Sequence, residues 1–169
     1  HAASPDARVI FYMTWGHDID TYAEMQQRLA ESYLEMTVQL NAWCAPVGIA
    51  WKRVRTENPS ITLYNNDHSH PSRQGSYLAA MILKRIFSET YTSTYYVGLP
   101  EEEALYLQRI AQETVFSNPS LWNIQPTVQP EEVTRRFYPE PDQQYSTPTL
   151  GKPLEEGLAS LFEINRYLK

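Results

Sequence analysis

Asp67 and His70 stand three residues apart in the segment Tyr64-Asn65-Asn66-Asp67-His68-Ser69-His70-Pro71-Ser72-Arg73-Gln74-Gly75. A carboxylate at that spacing can accept a hydrogen bond from one imidazole nitrogen. The tautomer is then set, and the other nitrogen is free to take a proton from a nucleophile. The spacing alone favours an ordinary Asx-type turn ahead of a helix, because bare Asp-x-x-His is common. His68 and His70 also form a His-x-His pattern with Asp67. Ligands at i and i+2 need further partners from elsewhere, so solvated loop histidines are the simpler reading and neither metal nor cofactor is assigned. Trp15 and His17 are candidate substrate-binding residues, since α/β sites gather at the carboxyl ends of strands. A core role for Trp15 explains its aromatic type as well.

These residues need a frame to hold them. Arg8–Thr14 is β-branched, aromatic and nearly continuously apolar, which predicts a strand buried on both faces in a parallel sheet. Tyr22, Met25, Leu29, Tyr33, Met36 and Leu40 recur at helical steps and predict an amphipathic helix with that stripe in the core. Trp43–Val47 reads as a second short strand limited by Pro46, and Gly48–Val54 as a further helical piece. A third helix is expected to start near Pro71-Ser72, with Tyr77, Leu78, Met81, Ile82 and Ile86 as its apolar stripe. A fourth opens at Pro100 with Glu101, Glu102 and Glu103, a favourable charge at a helix start and not a metal site, and runs through Leu107, Ala111 and Val115. Seven prolines fall between Pro119 and Pro153, and Leu154, Leu158, Leu161, Phe162 and Leu168 then form a last amphipathic stripe. The division expected is 1–118 as an α/β domain and 119–169 as a Pro-rich extension ending in a helix. Two visible strands cannot cover themselves, so either a small α-rich domain or an α/β domain lacking its front is expected.

Composition narrows the function classes. The chain has 169 residues, 42% of them hydrophobic and 20% charged, which suits a folded domain and excludes pervasive disorder. The net charge is -6, and basic residues cluster only at Lys52-Arg53 with Arg55 and at Arg135-Arg136, which argues against a nucleic-acid partner. The longest strongly apolar run, Tyr77–Leu83, is too short to span a bilayer. The single cysteine, Cys44, excludes an internal disulfide and reads as a small buried hydrophobe. It leaves the compartment open, with a secreted or periplasmic location compatible. The chain begins at His1 without a signal core, so its N-terminus is expected to arise by processing, cleavage or a fragment boundary.

Asp67, His70, Pro71, Ser72 and Gly75 in their order resemble the last signature block of the SGNH (GDSL-type) serine hydrolases, Asp-Gly-x-His-Pro-Ser-x-x-Gly followed by an apolar helix. His68 replaces the usual Gly. Val9–Trp15, the helix from Tyr22 to Leu40 and Ala45-Pro46-Val47-Gly48-x-Ala50-Trp51 are compatible with the elements that lead to this block in the family, so the likeness covers about residues 1–116. The resemblance implies the C-terminal part of a three-layer α/β/α flavodoxin-like sandwich with parallel strands, rich in helix. It also implies that Asp67 and His70 belong to a Ser-His-Asp triad acting on esters, carbohydrate acetyl esters among them. No Gly-Asp-Ser and no Gly-x-Asn-Asp block occurs here, and Gly16-His17-Asp18 is a poor substitute because it follows the later strand. The nucleophile is therefore expected from a preceding segment or a second chain. This polypeptide alone is expected to be inactive, and an exposed sheet edge to favour dimerisation or pairing with that segment.

The alternative is a non-catalytic interaction or structural domain that keeps the family's C-terminal half. Tyr91, Tyr95 and Tyr96 form a candidate sugar-stacking surface, with packing of a loop against the domain as the simpler reading.

Overall fold

A computed structural model describes residues 7–87 and 93–124, and every structural statement below concerns those residues. Strand β1 (Ile10–Tyr12), helix α1 (Tyr22–Gln39), strand β2 (Trp43–Ala45) and helix α2 (Val47–Glu57) come first, followed by helices α3 (Arg73–Phe87) and α4 (Glu101–Phe116) and a 3-10 turn, Pro119–Trp122. The strands pair in parallel, with Ile10 opposite Trp43, Phe11 opposite Cys44 and Tyr12 opposite Ala45. This is a mixed, helix-rich α/β arrangement on a two-stranded parallel sheet. The final stripe Leu154–Leu168 and Tyr91 lie outside the described residues.

Both strands are shorter than their apolar runs. Pro46 has no N–H to offer a ladder, and it instead sits at the N-cap of α2. Gly48 N–H then donates to Met13 O at 3.1 Å. A Cβ on Gly48 would stand 2.1 Å from Thr14 O, so only glycine allows α2 to start against the end of β1.

The α1 stripe corrects one expectation. The face turned to the core is Gln26, Ala30, Leu34 and Thr37, roughly a quarter turn from Tyr22, Met25, Leu29, Tyr33, Met36 and Leu40. The first four of that stripe are half-buried, whereas Leu40 is 65% exposed. Small residues at 30 and 37 let the helix approach β2 and α2 closely, and Gln26 supplies a polar contact described below. Apolar periodicity finds the helix but not which of two adjacent faces the short sheet covers.

Elsewhere patterning and packing agree. Tyr77, Leu78, Met81, Ile82 and Ile86 of α3 are buried, as are Leu107, Ile110, Ala111 and Val115 of α4, and these helices pack on each other. Gln108 is buried between them but satisfied, donating to Tyr77 Oη at 2.7 Å and to Ser93 O at 2.9 Å. Trp122 in the 3-10 turn is buried and donates through Nε1 to Thr114 O at 2.9 Å. Cys44 lies inside β2, and burial pushes its thiol up to about 12. Tyr95, by contrast, is 75% exposed, so it packs no loop down.

Candidate functional site

The chain leaving β1 lies against the segment before α3, where Asp18 N–H donates to His68 O at 2.8 Å. Tyr64 and Pro71 form an isolated antiparallel bridge, and Asn65 N–H donates to His70 O at 2.8 Å. The loop 64–71 is thus closed at its base. Ser72 caps α3: its Oγ accepts Gly75 N–H at 3.1 Å and donates to Thr62 O at 2.6 Å. Gly75 lets α3 lie on the core, since a Cβ there would meet Trp51 Cη2 at 2.3 Å and Leu63 O at 2.4 Å. The Pro, Ser and Gly of the motif therefore each have a local mechanical reason.

Asp67 uses its two oxygens differently. Oδ1 accepts the backbone N–H of Ser69 at 3.0 Å and of His70 at 2.9 Å, which is the Asx-type turn. Oδ2 lies 2.6 Å from His70 Nδ1. The turn and the acid–imidazole pair coexist, because one carboxylate can serve both. A carboxylate carries no proton, so the shared proton sits on Nδ1 and leaves Nε2 of the neutral ring as an acceptor. The Ser69 amide, the His70 ring and the His70 amide hold the Asp67 carboxyl at about 2, well below its usual range. The His70 side chain is 76% exposed and accessible to a reacting group.

Trp15 and His17 come to the same place. The Trp15 ring stacks on Trp51 with centroids 4.0 Å apart and planes 2° apart, and Trp51 meets Tyr64 edge-on at 5.5 Å. Trp15 Nε1 donates to Ser69 O at 3.1 Å. Its indole is thus engaged as an anchor of the loop that carries the histidines. His17 is exposed, with Nε2 at 3.2 Å from Ser69 Oγ.

Sequence reasoning missed several residues. Gln26 accepts Gly16 N–H at 2.9 Å, and Tyr64 Oη donates to Gly16 O at 2.6 Å, so the chain leaving β1 is held on both sides. Burial pushes the Tyr64 phenol up to about 12. Asp18 accepts Arg55 Nη1–H at 2.6 Å and lies 3.2 Å from His68 Nδ1. Arg53 pairs with Glu57 and with Glu113, each at 2.8 Å. The arginines of the Lys52-Arg53 and Arg55 cluster thus face internal acids. His68, at φ +58°, is the one signal that was visible in the sequence, since a side chain stood where glycine is usual.

Among the described residues no group of three or more His, Cys, Asp or Glu side chains could hold a metal ion, and no helix is long and apolar enough to cross a membrane. His68 and His70 each turn Nδ1 to a different carboxylate, Asp18 and Asp67. No family model, no curated protein and no solved structure matches the chain.

Proposed function

We propose that this chain is the C-terminal portion of an SGNH-type serine hydrolase acting on esters, with carbohydrate acetyl esters as one substrate class. His70 is the general base and then the general acid, and Asp67 orients it. The observation that carries this reading is the 2.6 Å pair between Asp67 Oδ2 and His70 Nδ1, with the other carboxylate oxygen fixed by two backbone amides. Such a pair needs no induced rearrangement to accept a proton at Nε2.

In this mechanism a serine from outside these residues, in a preceding segment or a second chain, gives its Oγ proton to His70 Nε2 as Oγ bonds to the acyl carbon. Hydrogen-bond donors supplied with that serine hold the tetrahedral oxyanion. Collapse breaks the ester C–O bond, and His70 returns the proton to the leaving alcohol. Water repeats the cycle on the acyl-enzyme and releases the acid. Strands supplied with the serine would complete a three-layer α/β/α flavodoxin-like sandwich of which β1 and β2 are part.

Labelling with a fluorophosphonate serine probe, followed by intact-mass spectrometry of the native preparation, tests this. A second polypeptide, or a preceding segment, that carries the adduct and loses esterase activity when His70→Ala is introduced is the expected result. Retention of most activity in that variant overturns the triad assignment.

A non-catalytic interaction domain is the second reading. It is favoured by the pairing of β1 on one edge only and by the exposed apolar side chains of Val9, Met36 and Leu40. Under it the partner, or a second copy of the chain, covers these residues, and binding is indifferent to His70→Ala.

A further inference from the structure

We propose that Asp18 and His68 are positioning residues for His70. The purpose assigned to them rests on the hydrolase reading above, whereas their mechanical coupling rests on geometry alone. His68 has φ +58°, the left-handed region in which a side chain crowds the backbone and glycine is favoured. A residue keeps such a conformation only where its surroundings over-determine it. The loop leaving β1, about fifty residues upstream, provides that restraint. Asp18 N–H donates to His68 O at 2.8 Å. Asp18 Oδ2 accepts a hydrogen bond from His68 Nδ1–H at 3.2 Å. Trp15 Nε1–H holds Ser69 O at 3.1 Å, and His17 Nε2 stands 3.2 Å from Ser69 Oγ.

Asp18 is itself fixed from behind. Arg55 of α2 donates to its other oxygen at 2.6 Å. The Arg55 guanidinium lies over the Tyr22 ring at 4.2 Å and near the Tyr64 ring at 5.2 Å, so it is held by α1 and by the base of the loop. The Arg55 hydrogen bond first, and His68 second, keep the Asp18 carboxyl below its usual range.

The coupling to His70 runs through the turn. Asp67 Oδ1 collects the amides of Ser69 and His70 only while the intervening His68 keeps its left-handed bend. Those amides orient the carboxylate that presents Oδ2 to the His70 ring. Arg55 therefore sets Asp18, Asp18 sets His68, and His68 sets the Asp67–His70 pair. Releasing Asp18 lets the strained residue relax, and the ring of His70 loses the partner that determines its tautomer.

Imidazole nitrogen NMR of the full 169-residue chain above pH 8 reads this directly. In the unmodified protein neutral His70 should be dominated by the Nδ1–H form. Asp18→Ala should lower the Nδ1–H to Nε2–H ratio of His70 roughly tenfold or more, as expected for losing one charge-assisted hydrogen bond. His68→Gly alone should leave the ratio unchanged, because glycine takes the bend without a clamp. Asp18→Ala combined with His68→Gly should restore it, a rescue that general destabilisation would not give. An unchanged ratio in folded Asp18→Ala, or no restoration in the double variant, overturns the proposal. If Asp18→Ala does not fold, Asp18→Asn keeps the backbone bond and size. A lowered ratio in that variant supports the clamp, and an unchanged one overturns it. The readout needs no ester turnover. Absence of a serine partner would thus remove the hydrolase reading and leave the coupling standing. An active hydrolase with an unmoved tautomer would remove the coupling alone.

Discussion

The α3–α4 pair and the loop ahead of α3 are neighbours in the chain but are held by different physics. Between the helices, Leu78, Ile82, Leu107 and Ile110 are fully buried, and their cohesion is the removal of apolar surface from water. In the loop, Asp67, His68 and His70 are exposed, and their positions are set by directional bonds to backbone and to residues near β1. Burial is tolerant of small displacements, whereas hydrogen bonds of this kind are sensitive to distance and angle. The Asp67–His70 geometry is thus kept on the surface, where burial could not keep it, by borrowing rigidity from the core through Tyr64, Trp15 and Arg55.

Substitutions can separate the two. The largest effect is expected in the helix pair: Ile82→Ala should lower unfolding stability by about 2–5 kcal/mol in a denaturant titration. The His70 tautomer in the remaining folded protein should not move. A tautomer shift in that variant would show that the two regions are not independent. Gly75→Ala lies at the junction, where the added Cβ meets Trp51 at 2.3 Å and the Leu63 carbonyl at 2.4 Å. Overpacking there should cost about 1–3 kcal/mol, and here both the unfolding midpoint and the loop amide shifts should change.

His70→Ala should alter stability by less than about 0.5 kcal/mol, because the ring is solvent-exposed, while the esterase activity proposed above should disappear. A large loss of stability would instead make His70 a structural residue. pH sharpens the contrast further. The folded Asp67 carboxyl titrates at about 2, below its unfolded value of roughly 3.9. A depressed carboxylate favours the folded loop above the unfolded value, and that contribution fades as pH falls through the folded one. Carboxyl carbon NMR should give a midpoint near 2 for Asp67, and the Ser69 and His70 amide shifts should follow the same curve. A midpoint near 4 would mean that the turn does not hold the charge. The smallest effect is in the sheet, where Cys44 should not react with a thiol reagent at pH 8 in the folded chain, since its thiol is pushed up to about 12.

The elements were legible to different degrees. α3 and α4 appeared in sequence with the right faces, because each is covered along one continuous stripe. α1 appeared with the right span but the wrong face. Its core-facing positions include Gln26 and Thr37, whose value lies in contacts with Gly16 and the Tyr33 carbonyl that no periodicity reports. The Asp67–His70 pair was legible because its members are three residues apart. The Asp18–Arg55 and Asp18–His68 contacts were not, since 37 and 50 residues separate them.

By itself the sequence determined the span of α1 and the starts of α3 and α4, that two short apolar runs flank the first helix, and that an acid and an imidazole share one turn. These follow from local rules: apolar spacing, proline and glycine stereochemistry, and the reach of a side chain across a turn. The tertiary structure alone decided that β1 and β2 pair in parallel and that α1 turns Gln26 inward. It also decided that residues 15–18 lie against residues 68–69. Those outcomes depend on which distant surfaces meet, and a hydrogen bond across 50 residues leaves no trace in the spacing of either partner.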